Sequence, residues 1–220
     1  MIERLKEIEE EIATCHKCQF SRTRQETVPG WIPDYAQKLV FIGSGPSPLE
    51  NVSGIPLIGR EGFEFTEIIK EIFELGRKDY NILYCVKCMP VYNGRKQQPQ
   101  KNEIFWCAKY LFEQLEILSP DLIITLGKTA FETLMIRQGT NFLTLKDNIS
   151  NYSGVLYKVK SLLNSDIEWN LVGTYDPGGW MRSDKNYDLA IDNLKKAKGY
   201  YNAITSGQSV EALYGNGPSL

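Results

Sequence analysis

Histidine is almost missing from this chain: His16 is the only one among 220 residues. It lies inside a Cys-x-x-Cys pair and is no candidate for acid–base chemistry at a distant site. An excess of charge of either sign is missing too, with 25 Lys and Arg against 27 Asp and Glu and a net charge of −2. Overall charge therefore does not point to nucleic acid, and a basic face would have to be local. Arg95, Lys96 and Lys101, then Lys128, then Arg182 with Lys185 are the candidates for one. No apolar run approaches the roughly 20 residues of a membrane-spanning helix. The charged, amphipathic start Met1-Ile-Glu-Arg-Leu-Lys6 has no apolar signal-peptide core. No internal repeat is visible. Cysteine is sparse, five in all, and a cytoplasmic, reducing location is expected, where such cysteines bind metal more often than they form disulfides.

What is present suits one α/β domain: 42% of the residues are hydrophobic, enough for a full core without staples. Four of the cysteines form a split set. Cys15 and Cys18 follow an N-terminal helix, while Cys88 and Cys107 lie far downstream. All-thiolate sites of this kind hold either zinc or an iron–sulfur cluster.

Strand and helix signals alternate. Lys38–Gly43 is an apolar strand ending in a Gly/Pro turn, Asn81–Tyr84 a second strand, and Leu122–Leu126 a third, apolar throughout as in a parallel sheet covered on both faces. Helical spacing marks 60–75, with Gly76 as its stop, and 102–118, where Ile104, Cys107, Ala108, Leu111, Leu115 and Leu118 share a face. A helix over about 128–137, strands near 155–160 and 169–174, and a helix over 184–201 complete the pattern. The expected architecture is a three-layer α/β/α sandwich with a mostly parallel sheet over 1–203, and 204–220 a flexible tail or linker.

In such a sheet, ligands bind beyond the carboxyl ends of the strands. Gly43-Ser44-Gly45-Pro46 follows the first strand, and its glycines permit close backbone approach to a ligand, or simply make a tight turn. Pro56–Gly62 opens the next helix as a pocket wall. Thr174-Tyr175-Asp176-Pro177-Gly178-Gly179-Trp180-Met181-Arg182 is a loop whose Trp180 and Met181 could wedge into a duplex with Arg182 on phosphate. The alternative is that Trp180 caps the sheet core.

Taken in order, these segments resemble the iron–sulfur uracil-DNA glycosylases of the family-4 type. Val86-Lys87-Cys88-Met89-Pro90 is similar to VKCRP, Pro56-Leu57-Ile58-Gly59-Arg60-Glu61-Gly62 to PFVGRAG, and Pro120–Ala130 to a strand-LG-x-x-A stretch. The resemblance implies a structural [4Fe–4S] cluster on Cys15, Cys18, Cys88 and Cys107, with zinc as the chemical alternative. It also implies DNA as partner, a flipped or single-stranded base, a monomer and, by extension, a replication or repair setting. It implies a base pocket at Gly43, Gly45, Pro46, Leu57 and Cys85, catalytic roles for Ser44 and Asp176, and DNA contacts from Lys128, Trp180, Met181 and Arg182. Four positions depart from the family pattern: Ser44 stands for its glutamate, Cys85 for its asparagine, Leu57 for its stacking aromatic and Asp176 for its histidine. The expectation is a divergent DNA glycosylase for a uracil-like or modified base; the alternative is an inactive DNA-binding module on the same scaffold, attached to or docked on a polymerase.

Overall fold

The apolar pentapeptides Leu39–Gly43 (β1) and Leu122–Leu126 (β5) are buried at every position, which only a sheet covered on both faces allows. In the computed structural model, which describes residues 2–33, 37–135, 145 and 148–215, they lie side by side at the sheet's centre. Asn81–Tyr84 (β2) pairs in parallel with the outer edge of β1, and Glu168–Thr174 (β7) in parallel with β5. Leu156–Lys160 (β6) closes the other edge antiparallel to β7, so the order is β2-β1-β5-β7-β6. A small antiparallel ribbon, Val91–Tyr92 (β3) with Arg95–Lys96 (β4), stands apart.

Alternation along β1 divides the core. Val40 and Ile42 face the helices Lys101–Leu118 (α4) and Lys128–Leu134 (α5), meeting Leu111, Leu115 and Phe131. Leu39 and Phe41 face Gly59–Phe73 (α3) and Asp184–Thr205 (α7), meeting Phe65, Ile69 and Leu194. The result is the expected three-layer α/β/α sandwich. Ile2–Ala13 (α1) sits outside it, its Ile8 and Ile12 against Tyr110 of α4. Two short helices carry loops of the sheet's carboxyl end: Pro48–Ser53 (α2) and Pro177–Trp180 (α6). Among the described residues no helix is long and apolar enough to cross a membrane.

Several boundaries differ from those read in the sequence. α3 stops at Phe73, because Glu74 takes a left-handed conformation (φ 61°) and its amide bonds to Lys70 O; Gly76 instead forms a turn with Asp79. The end expected for α5, 136–137, lies outside the described residues. The segment expected as a tail continues α7 to Thr205 and then returns to the sheet. Tyr214 pairs with Leu156, its hydroxyl donates to Asn170 Oδ1 at 2.6 Å, and Gly215 N donates to Leu156 O.

Candidate functional site

The chain leaves β1 for β2 on one side and returns to β5 on the other, so the strand order switches beside β1 and the loops there diverge. Between them opens a cleft of about 290 Å³, reached by Ser44, Leu57, Tyr84, Lys128 and Asp176. Its β1 wall requires glycine. A Cβ on Gly43 would lie 2.6 Å from the Tyr84 ring, and one on Gly45 2.6 Å from Val86 Cγ2. Pro46 is buried and does not line the cleft, so it supports the loop rather than the pocket.

Glu50 organises the floor. Ser47 and Glu50 form a capping box at the start of α2, and the same carboxylate, only 4% exposed, accepts from Ser47 N (2.9 Å), Leu57 N (3.0 Å) and the Tyr84 hydroxyl (2.9 Å). Leu57 is held at φ 46°, a region L-residues rarely adopt, and Arg77 fixes its carbonyl from behind. A Cβ on Gly62 would fall 1.9 Å from Leu57 O, so that glycine lets the turn close. Burial, followed by the neighbouring Glu50, pushes the Tyr84 phenol well above its ordinary pKa. Its proton is committed to Glu50, while Leu57 N approaches the same oxygen at 3.3 Å.

Cys85 does not belong to this pocket. Successive strand residues face opposite ways; with Tyr84 turned to the cleft, Cys85 is 0% exposed in the core with Val40 and Leu111. Burial raises its thiol to about 11.

Asp176 caps α6, accepting Gly179 N at 2.9 Å, and its side chain is half exposed in the cleft. Gly127, at φ 92°, leaves it room: a Cβ there would lie 3.2 Å from Asp176 Cβ. Glu61 of α3 approaches the same corner, since a Cβ on Gly178 would meet Glu61 Oε1 at 3.1 Å and Asp176 Oδ1 at 3.2 Å. Ser44 and Asp176 thus share one cleft. Lys128 reaches it with Nζ on Leu145 O (2.9 Å) and near Glu132 (3.8 Å).

Trp180 cannot act as a wedge. It is 2% exposed, stacks on Phe65 at 6.1 Å and donates Nε1–H to Tyr175 O, so it caps the core. Met181 is half-buried and Arg182 exposed, 3.9 Å from Asp176 Oδ1. The exposed apolar side chains near the cleft are instead Leu49, Val52, Ile55 and Phe63, in and beside α2 and α3. Tyr84 and Gln98 also line the cleft without a role assigned from the sequence, beside Glu61 of the expected pocket wall and Lys96 of the candidate basic face. Glu50 was legible as Ser-x-x-Glu, the signature of the capping box.

The four thiols of the split set converge elsewhere. Cys18, Cys88 and Cys107 pack around Phe20, Val86 and Ile104, and Cys107 also joins Cys15 against Ile8, Ile12 and Tyr110. All are unpaired. Lys87 N donates to Cys107 Sγ (3.4 Å) and Arg24 to Cys88 Sγ (3.5 Å). Burial raises the thiols of Cys18 and Cys88, and that of Cys107 to about 12. Among the described residues no three or more His, Cys, Asp or Glu side chains are spaced to hold a single metal ion.

The sequence profile of the uracil DNA glycosylase superfamily matches residues 29–199, which include both strands flanking the cleft. The chain belongs to that superfamily. A type-4 uracil-DNA glycosylase of Sulfurisphaera tokodaii is 34% identical over 194 residues, covering 88% of this chain and 83% of the relative. That of Saccharolobus solfataricus is 31% identical over 198 residues (87% and 83%), and that of Thermotoga maritima 26% identical over 199 (88% and 92%). In this chain the side chain that faces the cleft at the end of β2 is Tyr84, one residue before the position the sequence suggested.

Proposed function

We propose that this protein binds DNA and hydrolyses the N-glycosidic bond of an altered base turned out of the stack into the cleft beside β1 and β5. The observation that carries the reading is the meeting of Ser44 and Asp176 in one cleft, in a chain whose relatives are named glycosylases.

The reaction leaves positive charge on the sugar and negative charge on the departing base. The Asp176 carboxylate is the group that stabilises the first, held in orientation by Gly179 N. Ser44 positions the attacking water through its hydroxyl. Lys128 offers positive charge to the departing base or to phosphate. Gly43, Gly45 and Leu57 form the pocket walls, with Tyr84 in place of Cys85. Because the Tyr84 hydroxyl already serves Glu50, this position of the floor offers no paired donor and acceptor to read an imide edge, as a side-chain amide would. Ordinary uracil is accordingly disfavoured against a modified base. Arg182 and Lys96 fall to the DNA backbone, and Leu49 and Phe63 to apolar contact with neighbouring bases.

The four thiols fit a [4Fe–4S] cluster better than zinc. They gather around shared neighbours, yet no three of them are spaced to hold a single ion, and a four-iron cube spaces its thiolates more widely than one zinc ion does. A cluster held by these four cysteines would tie α1 to the domain. A reducing cytoplasm suits such a site.

The test is a panel of oligonucleotides carrying uracil, 5-hydroxymethyluracil, hypoxanthine or mismatched thymine, single- and double-stranded. Excision of one of these, lost in Asp176→Asn, is the expected result. A second reading, an inactive DNA-binding module, is favoured by the filled floor at Tyr84; tight DNA binding with no excision of any base would decide for it.

A further inference from the structure

Arg24 joins the two halves of the thiol set. The last carbonyls of a helix have no partner within it; at the end of α1 one guanidinium donates Nη2 to Ala13 O at 2.8 Å and Nη1 to Cys15 O, beyond the helix, at 2.7 Å. The same Nη1 lies 3.5 Å from Cys88 Sγ, a donor distance for sulfur. Cys15 and Cys88 come from opposite ends of the assembly, one on the α1 arm and one beyond β2. Arg24 is set in place by the turn Gln19–Arg22: its amide donates to Phe20 O (3.0 Å), and Phe20 is fully buried against Cys88, Val86 and Ile104. Only a planar fork with several fixed donors can serve two carbonyls and a sulfur at once; an ammonium or a single amide cannot span them.

We infer that Arg24 is a positioning residue of the metal centre, docking the Cys15–Cys18 arm onto the downstream thiols and donating a hydrogen bond to the Cys88 sulfur. The inference rests on the reading of the thiols as cluster ligands. A thiolate bound to iron carries negative charge, so the N–H to sulfur contact strengthens when the centre is filled. Hydrogen bonds to cluster sulfurs also raise the reduction potential by favouring the more negative, reduced state. A residue that merely capped α1 would do neither. The hollow lined by Cys18, Gln19, Arg22, Glu103 and Trp106 gives solvent a path to the site, so chelators can probe it.

The experiment compares wild type, Arg24→Gln and Arg24→Lys as purified holoproteins. Iron and sulfide per chain, the bleaching rate of the absorbance near roughly 400 nm under an iron chelator, and the midpoint potential are measured. Arg24→Gln should assemble a cluster, lose it on the order of tenfold faster than wild type and show a more negative potential, with Arg24→Lys between the two. Unchanged bleaching and potential, even with faster proteolysis of α1, would reduce Arg24 to a helix cap and overturn the inference. Should Arg24→Gln fail to fold, Arg24→Lys carries the comparison alone. A wild type that holds zinc would sink the iron–sulfur reading but not this one: faster zinc release from the variants supports it, equal release overturns it. A wild type that takes up neither metal overturns both.

Discussion

Three stretches of chain meet at one carboxylate: Glu50 accepts from Ser47, Leu57 and Tyr84. Since the group is buried, each donor removed leaves an acceptor short of a partner rather than returned to water. Tyr84→Phe should therefore cost about 1–2 kcal/mol in urea unfolding and, by emptying one corner of the floor, change which bases in the oligonucleotide panel are bound. Cys85→Ala should cost stability by a similar small cavity, about 1–2 kcal/mol, and leave base preference unchanged. If Cys85→Ala alters base preference and Tyr84→Phe does not, the floor is misassigned. The Cys85 thiol also fixes a pH dependence. Its folded value is raised from 9.0 to about 11, so its contribution is complete below pH 9.0 and is lost as pH rises through about 11. The motif around position 88 was legible in sequence, but which of two adjacent residues faced the cleft was not. A one-residue slip on a strand reverses the face, and motif spacing alone cannot detect that.

Long elements were legible because their patterns are long: β1 and β5 as uninterrupted apolar runs, α4 and α7 by helical spacing. α2, α6 and the β3–β4 ribbon span at most six residues each, too short for a period to register, and all of them contribute to the cleft. Trp180 was ambiguous for a related reason, since glycines beside it suggest an open loop while Phe65, distant in sequence, gives it a stacking partner. α1 was legible as an amphipathic helix, but its electrostatic docking was not. Arg4 and Lys109 both bind Glu11, and the same two cations reach Glu113 on α4. Hydrogen bonds from Arg4 and then Lys109 hold the Glu11 carboxyl below its ordinary 4.5. A depressed folded value means stability that is present above pH 4.5 and lost as pH falls through the lower folded value. The pairs are partly exposed, so salt should weaken them. Glu11→Gln should lower the urea midpoint at pH 7 and low salt, and the gap to wild type should narrow as pH falls below 4.5 or in concentrated salt. A gap that persists in acid would mean that Glu11 acts through packing instead.

At the scale of the molecule, the sheet has one edge covered by an unexpected piece of chain. β6 lies at that edge, and an uncovered edge strand invites pairing with other chains. Tyr214 and Gly215 supply backbone partners to Leu156, and Tyr214 reaches across to Asn170 of β7. The Gly/Ser-rich composition of 206–220 looked like a linker because two aromatic or apolar anchors, Val210 and Tyr214, carry no periodic signal. Charge was equally uninformative at this scale: a net −2 averages away cations such as Lys96 and Lys128 that share the cleft. Deleting 208–220 separates the two ends of the domain functionally. The docked segment lies at β6, whereas the cleft opens beside β1 and β5 and the thiols gather near α1 and α4. The truncated chain should lose about 1–3 kcal/mol and self-associate more readily as β6 is bared, seen by urea unfolding and light scattering. Its DNA affinity and its iron content should match the full chain. A truncation that leaves stability untouched would mean that these residues form no part of the folded unit, and one that abolishes DNA binding would place the nucleic-acid surface at the wrong end of the sheet.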